Sequence, residues 1–150
     1  MRRIRIFLIL CVIATGFCFG QLPHTFTQYT SEDGLSQNTI MSILQDDKGV
    51  MWFATWDGLY KFDGYTFNNY KAHPGDSIGL SNNRLDNIKE DRNGYIWVQS
   101  YNHQVYRFNP RLERFQAIPY DNYLSLDMYV LPCGDVWIIT VQNELIHIST

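Results

Sequence analysis

Asp46 and Asp91 are the residues best suited to chemistry, because paired carboxylates perform general acid/base catalysis in glycoside-cleaving enzymes. Both begin the same short motif, Asp-x-x-Gly, at residues 46–49 and 91–94. Such a motif predicts a β-hairpin turn in which the Asp accepts backbone N–H bonds and the Gly adopts a positive φ. Equivalent turns of successive repeats lie far apart, so we interpret these aspartates as structural.

Other residue types that perform chemistry are scattered. His24, His73, His103 and His147 lack the spacing of metal ligands, and Cys133 is the one cysteine beyond the first 20 residues. We therefore expect no metal, no cofactor and no disulfide. No phosphate-binding loop, nucleophile elbow or kinase signature occurs. This segment is not predicted to be an enzyme.

The elements that carry these residues form a repeat. Residues 38–52 match residues 83–97 at a spacing of 45, with Asn, Ile, Asp, Gly and Trp in common. A third copy, at 134–140, follows the second at a spacing of 40. Periods of about 20 to 50 residues are typical of solenoids and propellers.

Each copy is predicted to contain four short strands, which we letter a to d. In the first copy they span 39–45, 50–55, 59–62 and 66–70, bounded by Gly, Asp or Asn. We predict an all-β fold: a partial β-propeller of about three four-stranded antiparallel blades, preceded by a signal helix. Three blades are fewer than the usual ring of about four to eight, so the chain is interpreted as a fragment or a truncated gene product.

A tryptophan recurs at the same position of strand b in every copy. A bulky ring there is expected to fill the gap between neighbouring blades. The third copy is weaker, because Pro-Cys-Gly at 132–134 replaces the Asp turn. The residues assigned to the structural repeat are Asp46, Gly49, Trp52, Asp91, Gly94, Trp97, Gly134 and Trp137.

The first 20 residues are predicted to be an export signal. A basic cap at 1–5 precedes an apolar run at 6–19, which is shorter than the ~20 residues of a spanning helix. We expect cleavage after Gly20, with an uncleaved anchor as the alternative. Cleavage removes three arginines and moves the formal net charge from −3 to −6. Such an acidic chain is not expected to bind nucleic acid.

The repeat sets the predicted domain limits. Residues 25–29 resemble strand d at 66–70, so we assign 21–37 to a lone outer strand and entry loop. A propeller commonly closes by pairing such a strand with its last blade. The remaining units are blade 1 at 38–82, blade 2 at 83–125 and an incomplete blade 3 at 126–150.

Ligand binding is expected where the copies differ. The d-to-a and b-to-c loops usually share one propeller face, which would bring residues 71–82 near the b-to-c turns. Flat aromatic rings beside amide, acid and imidazole groups suit a sugar. The candidate ligand-binding residues are Trp56, Asp57, Tyr101, Asn102 and His103, with an ordinary exposed turn as the alternative.

The repeated pattern Asn-x-x-x-x-Ile-x-x-Asp-x-x-Gly-x-x-Trp, followed by Thr-x-x-Gly-Leu-Tyr-x-Phe-Asp, resembles the two-component regulator propeller repeat. Residues 29–38 are similar to the opening of the periplasmic sensors of hybrid histidine kinases. The resemblance implies a periplasmic location, an oligosaccharide ligand, and further blades, a membrane anchor and kinase modules beyond this chain. The resemblance is also compatible with a homodimer of the full-length protein.

The predicted function is therefore the N-terminal fragment of an extracytoplasmic, ligand-sensing propeller of a two-component sensor kinase, responsive to glycans. Histidine kinase activity would reside in regions absent from this chain. Two alternatives stay open. One is a secreted propeller enzyme acting on glycans, which would need acid and base groups that do not repeat. The other is a protein-interaction scaffold, because a propeller fold alone does not decide function.

Overall fold

A computed structural model describes residues 25–36, 39–73, 75, 79–118, 124–131 and 133–149. The predicted signal at 1–20, with its helix and cleavage site, lies outside the described residues. Three antiparallel sheets and one 3-10 turn at Ser31–Asp33 make up the regular structure of the described part. No helix there has the length and apolar character needed to cross a membrane.

Each sheet consists of consecutive strands, and we call the sheets blades 1, 2 and 3. Blade 1 contains β1 (Ile40–Gln45), β2 (Met51–Thr55), β3 (Gly58–Phe62) and β4 (Phe67–Tyr70). Blade 2 contains β5 (Leu85–Glu90), β6 (Ile96–Ser100), β7 (Val105–Asn109) and β8 (Arg114–Ala117). Blade 3 contains β9 (Ser125–Val130), β10 (Val136–Thr140) and β11 (Leu145–Ile148). The all-β, blade-by-blade prediction is confirmed, with three strands rather than four in the described part of blade 3.

The same irregularity bends strand a of every blade. The pairing with strand b shifts register between Ile40 and Ser42, between Leu85 and Asn87, and again where Thr140 pairs with Ser125. A bulge of this kind adds one residue and redirects the strand. It lies at the end of each blade where strand b turns into strand c, which we call the b–c end.

The core lies between blades rather than within them. Trp52 of blade 1 is 1% exposed and packs against Phe108 of blade 2, with ring centroids 5.7 Å apart. Trp97 of blade 2 is fully buried among Met128 and Ile138 of blade 3. Side chains alternate between the two faces of a strand, so each blade presents one apolar face to each neighbour.

Trp137 occupies the equivalent position in blade 3 but has different surroundings. It is half-buried and stacks on His147, with ring centroids 4.3 Å apart. His147 Nε2 lies 3.1 Å from Asp135 Oδ2. Leu131 stands where blades 1 and 2 have their turn aspartate, so this tryptophan has no equivalent carboxylate partner.

The N-terminal segment differs from the prediction. Residues 25–30 pair with no described strand, so the lone outer strand at 25–29 is not formed here. A strand needs a hydrogen-bonded partner, and the partner predicted for this one was a blade beyond the three described. Tyr29 packs edge-on against Phe62 and Phe67 instead, at 5.0 and 5.6 Å between ring centroids. The segment thus covers the face of blade 1 opposite to Trp52.

Candidate functional site at the b–c end

The a-to-b turns use their aspartates as structural acceptors. Asp46 Oδ1 accepts hydrogen bonds from the backbone N–H groups of Lys48 and Val50 at 3.0 and 2.8 Å. Its second oxygen accepts from Trp52 Nε1 at 2.9 Å. Gly49 adopts φ +83°, which a side chain would disfavour.

Blade 2 repeats this arrangement in a more buried setting. Asp91, 3% exposed, accepts from the N–H groups of Asn93 and Tyr95 at 2.8 and 3.1 Å and from Trp97 Nε1 at 2.8 Å. Gly94 adopts φ +76°. In both turns the carboxylate joins the turn to the tryptophan between blades, so neither carboxylate has an oxygen left without a protein partner.

The opposite, b–c end of the blades carries the predicted ligand-binding residues. The first residue after strand b donates its N–H to the residue before strand a in all three blades, at 3.4, 2.9 and 2.9 Å. This shared bond makes the three turns structurally equivalent, so their side chains can be compared directly. The bonded pairs are Trp56 with Thr39, Tyr101 with Arg84, and Val141 with Leu124.

Arg84 joins the two predicted aromatic residues across the boundary between blades 1 and 2. Its Cζ lies 3.9 Å from the Trp56 ring centroid and 3.8 Å from the Tyr101 ring centroid. Both residues remain well exposed, at 40% for Trp56 and 52% for Tyr101. Each cation–π contact is worth about 0.5–1 kcal/mol at an exposed position. The sequence analysis identified both rings and missed the arginine between them.

Arg84 forms no ion pair with any of the described residues. Ion pairs among them are Lys71 with Asp57 and His147 with Asp135, and neither involves Arg84. Arg84 Nε is buried without a hydrogen-bond partner. A guanidinium carries five donors, so the group retains unused hydrogen-bonding capacity.

Asp57 lies at the centre of a hydrogen-bond network within blade 1. Its Oδ2 is 2.5 Å from Ser36 Oγ and 2.6 Å from Lys71 Nζ, and Ser36 also bonds the Tyr60 hydroxyl. Partial burial alone would raise the pKa of Asp57, but the hydrogen bonds from Lys71 and Ser36 outweigh it and lower this pKa. The Asp57 bond raises the pKa of Lys71. The carboxylate is therefore engaged internally.

Asn102 occupies the same place in blade 2. Its Nδ2 donates to Ser81 Oγ at 3.2 Å, and Ser81 Oγ lies 2.7 Å from the Tyr106 hydroxyl. Its Oδ1 accepts from Ser100 Oγ at 2.5 Å. Asp57 and Asn102 thus each bond the serine that precedes their own blade, and that serine bonds the tyrosine of strand c. The other end of the Asn102 amide bonds Ser100.

His103 links blade 2 to blade 3. It is the extra residue of the second b-to-c turn and adopts φ +64°, a left-handed conformation uncommon for non-glycine residues. Its Nδ1 lies 2.9 Å from the Ser125 carbonyl oxygen, and its own carbonyl accepts from Ser125 N at 2.9 Å. The imidazole therefore faces the next blade.

A cleft also opens between the outer strands of blades 1 and 2. Its volume is about 430 Å³, and Tyr70, Lys71, His73, Glu113 and Arg114 are among its lining residues. Burial, together with the 2.8 Å hydrogen bond to Glu113, raises the pKa of Tyr70. Within the described ranges, no group of three or more His, Cys, Asp or Glu side chains is arranged to hold a metal ion.

The stacked blades, with a tryptophan between neighbours, define a segment of β-propeller. A family model described as "Two component regulator propeller" matches residues 34–57 and 79–102. These matches cover strands a and b of blades 1 and 2 together with the segment that precedes each. These two segments are therefore similar to repeats of the two-component regulator propeller family.

Individual proteins show the same likeness. "Histidine kinase P4" of Formosa agariphila is 48% identical over 56 residues, which are 37% of this chain and 4% of that protein. The chain thus spans a small part of the length of this relative.

Two solved structures share the fold. The extracellular domain of a candidate hybrid two-component system from B. thetaiotaomicron aligns with a TM-score of 0.66 and 23% identity, over 84% of this chain and 20% of that one. PorZ of Porphyromonas gingivalis, a surface component of the type-IX secretion system, aligns with a TM-score of 0.53 and 18% identity, over 66% and 15%. At these identities the likeness concerns the fold.

Proposed function

We propose that this chain is part of the extracytoplasmic sensor propeller of a two-component system and binds an oligosaccharide at the b–c end of blades 1 and 2. The observation that carries the proposal is the pairing of the exposed Trp56 and Tyr101 rings across the blade boundary. The propeller repeats and the predicted export signal support a periplasmic sensor. Kinase modules and a membrane anchor beyond this chain would transmit the bound state.

Sugar binding suits the geometry of these two rings. Arg84 lies over one face of each ring, and the exposure of both residues leaves further ring surface to solvent. The C–H face of a sugar stacks on such a surface, while its hydroxyls bond to nearby polar groups. Asp57, Asn102 and His103 hold the loops, so we assign them to positioning rather than to ligand contact.

The alternative of a glycan-cleaving enzyme has less support than the binding proposal, because Asp46 and Asp91 are engaged in structural hydrogen bonds. Asp46 and Asp91 would need a free oxygen to donate or accept a substrate proton. Both are bound by turn N–H groups and a tryptophan indole. They also lie at the end of the blades opposite to the exposed aromatic pair.

A glycan array probed with the purified chain tests the binding proposal. The double variant Trp56→Ala/Tyr101→Ala is expected to lose the binding seen with the parent, because both stacking surfaces disappear. Tyr65→Ala is the matched control, since Tyr65 is 92% exposed on the c-to-d turn, away from this end. Absence of binding to every glycan, or binding that survives the double variant, would contradict the proposal.

The signalling part of the proposal needs a separate test. Sequencing the gene beyond the codon for Thr150 should reveal further propeller repeats, a membrane helix and a histidine kinase region. A reading frame without the last two would refute the sensor assignment, even if the chain binds glycans.

A further inference from the structure

Arg84 is the feature of the b–c end that the blades do not share. The equivalent positions, identified by the shared backbone bond, hold Thr39 in blade 1 and Leu124 in blade 3. Neither of these side chains is charged. Since the backbone frame is the same in all three blades, the frame does not require an arginine, and a separate role for Arg84 is indicated.

Two aromatic rings contact the guanidinium of Arg84. The Trp56 and Tyr101 rings lie over the planar guanidinium, and only Nε among its nitrogens is buried without a partner. Two rings that hold a guanidinium also fix its orientation before any ligand arrives, which lowers the entropy cost of binding. The Nη groups form the edge of the plane, and this edge matches the paired oxygens of a carboxylate or a sulfate.

The neighbouring acid does not compete for this arginine. Asp57, the acidic residue of the adjacent turn, forms its ion pair with Lys71 at 2.6 Å and accepts a second bond from Ser36 at 2.5 Å. On the other side, both ends of the Asn102 amide are bonded to serines. Asp57 and Asn102 thus use their side chains in bonds to other residues, and neither forms an ion pair with Arg84.

We propose that Arg84 binds an oxyanion carried on the sugar, so that the ligand of this site is an acidic oligosaccharide. The anionic group is a uronic acid carboxylate or a sulfate ester, either of which accepts two hydrogen bonds from the guanidinium edge. The inference rests on the proposed function, because the same two rings stack the sugar. It adds the chemical class of the ligand.

Calorimetric titration of the intact chain provides the test, with trigalacturonate, its methyl ester and a sulfated galactose trisaccharide as probes. At least one acidic probe should bind about tenfold or more tightly than the neutral ester, which corresponds to one charge-assisted hydrogen-bonded contact. Comparison of the two acidic probes distinguishes carboxylate from sulfate recognition. Inorganic sulfate at matched ionic strength should compete poorly, since it offers no ring to stack.

Variants separate a specific contact from general charge. Arg84→Gln should abolish the preference for the acidic probe, so that this variant binds the acidic probe and the neutral ester with equal affinity. Arg84→Lys keeps the positive charge but lacks the planar pair of Nη donors, so its affinity for the acidic probe should lie between those of the parent and Arg84→Gln. It also provides a second variant if the Arg84→Gln chain is unstable. Arg92→Gln is the matched control, because it removes the same charge from the a-to-b turn at the opposite end of blade 2.

The possible results are distinguishable. Equal affinity for acidic and neutral probes would overturn this inference and leave the proposed function standing. An equal effect of Arg92→Gln and Arg84→Gln, or sulfate binding as tight as that of a sulfated sugar, would also overturn it. Failure of every sugar to bind would instead refute the proposed function.

Discussion

Removing the Asp91 carboxylate should destabilise the chain strongly. Asp91→Ala deletes the acceptor of three hydrogen bonds, from Asn93 N, Tyr95 N and Trp97 Nε1. Trp97 is fully buried between blades 2 and 3, so its indole N–H cannot turn to water after the change. The two turn amides lie closer to solvent and recover part of their bonding there.

The magnitude follows from these contacts. A hydrogen bond to a charged group contributes about 1.5–3 kcal/mol, and a buried donor left unpaired costs about 1–3 kcal/mol. Relief of the cost of burying the carboxylate offsets part of this loss. We expect Asp91→Ala to lower the free energy of unfolding by about 3 kcal/mol. Asp46→Ala should cost about half as much, because Asp46 is only half-buried.

Urea unfolding of the purified chain, followed by far-UV circular dichroism, measures both losses. In a Trp97→Phe background the indole donor is absent, so Asp91→Ala should cost about 1 kcal/mol less than in the parent. A cost below about 0.5 kcal/mol, typical of an indifferent surface change, would refute the reasoning. So would strict additivity of the two substitutions, because it would mean that the carboxylate and the indole do not interact.

Two further predictions concern stability. In the same urea assay, Gly58→Ala should lower the free energy of unfolding by roughly 2 kcal/mol more than Gly64→Ala does. Both glycines have positive φ, but only at Gly58 would a Cβ lie 2.5 Å from the Tyr70 carbonyl oxygen. Equal losses for the two substitutions would contradict this prediction. Burial raises the pKa of Glu90 in the folded chain. The contribution of Glu90 to folding stability is therefore complete below its pKa in the unfolded chain, about 4.3, and is lost as pH rises through its pKa in the folded chain. Glu90→Gln keeps an acceptor for Asp47 N, which Glu90 binds at 2.9 Å, and should therefore raise the melting temperature at pH 7 but not at pH 3; a uniform effect at both pH values would argue against it.

Strand positions could be predicted from sequence because their signals are local. Alternation and turn residues placed strand a of blade 1 at 39–45, and the strand observed is Ile40–Gln45. The segment at 25–29 has a similar strand-like sequence but forms no ladder in the described chain. Its pairing depends on a partner that its own residues do not specify.

The structural contacts of the repeat could have been predicted more fully. Asp46 and Asp91 each precede a tryptophan by six residues, yet the turn assignment considered only backbone N–H groups as donors to the carboxylate. The hydrogen-bond networks of Asp57 and Asn102 could also have been predicted from the sequence, because the serine of Gly-Leu-Ser and the tyrosine of strand c recur in both copies. Repetition of three polar positions favours a structural role over ligand contact.

The arginine of the candidate site could not be predicted in this way. Arg84 precedes strand a of blade 2, while its stacking partners directly follow strand b of two different blades. The contact therefore depends on how blades 1 and 2 pack against each other. No spacing within one repeat encodes that relation, although an arginine at a position that otherwise varies was a usable signal.

Hydrogen exchange of the tryptophan indole N–H groups, measured by ¹⁵N NMR, tests most directly that Asp-bonded tryptophans lie between stacked blades. Trp52 and Trp97 should exchange slowly, because both are buried and hydrogen-bonded to an aspartate. Trp56 and Trp137, respectively exposed at the b–c end and half-buried on blade 3, should exchange rapidly. Rapid exchange at Trp52 and Trp97, or equal protection at all four, would contradict the propeller arrangement described for this chain.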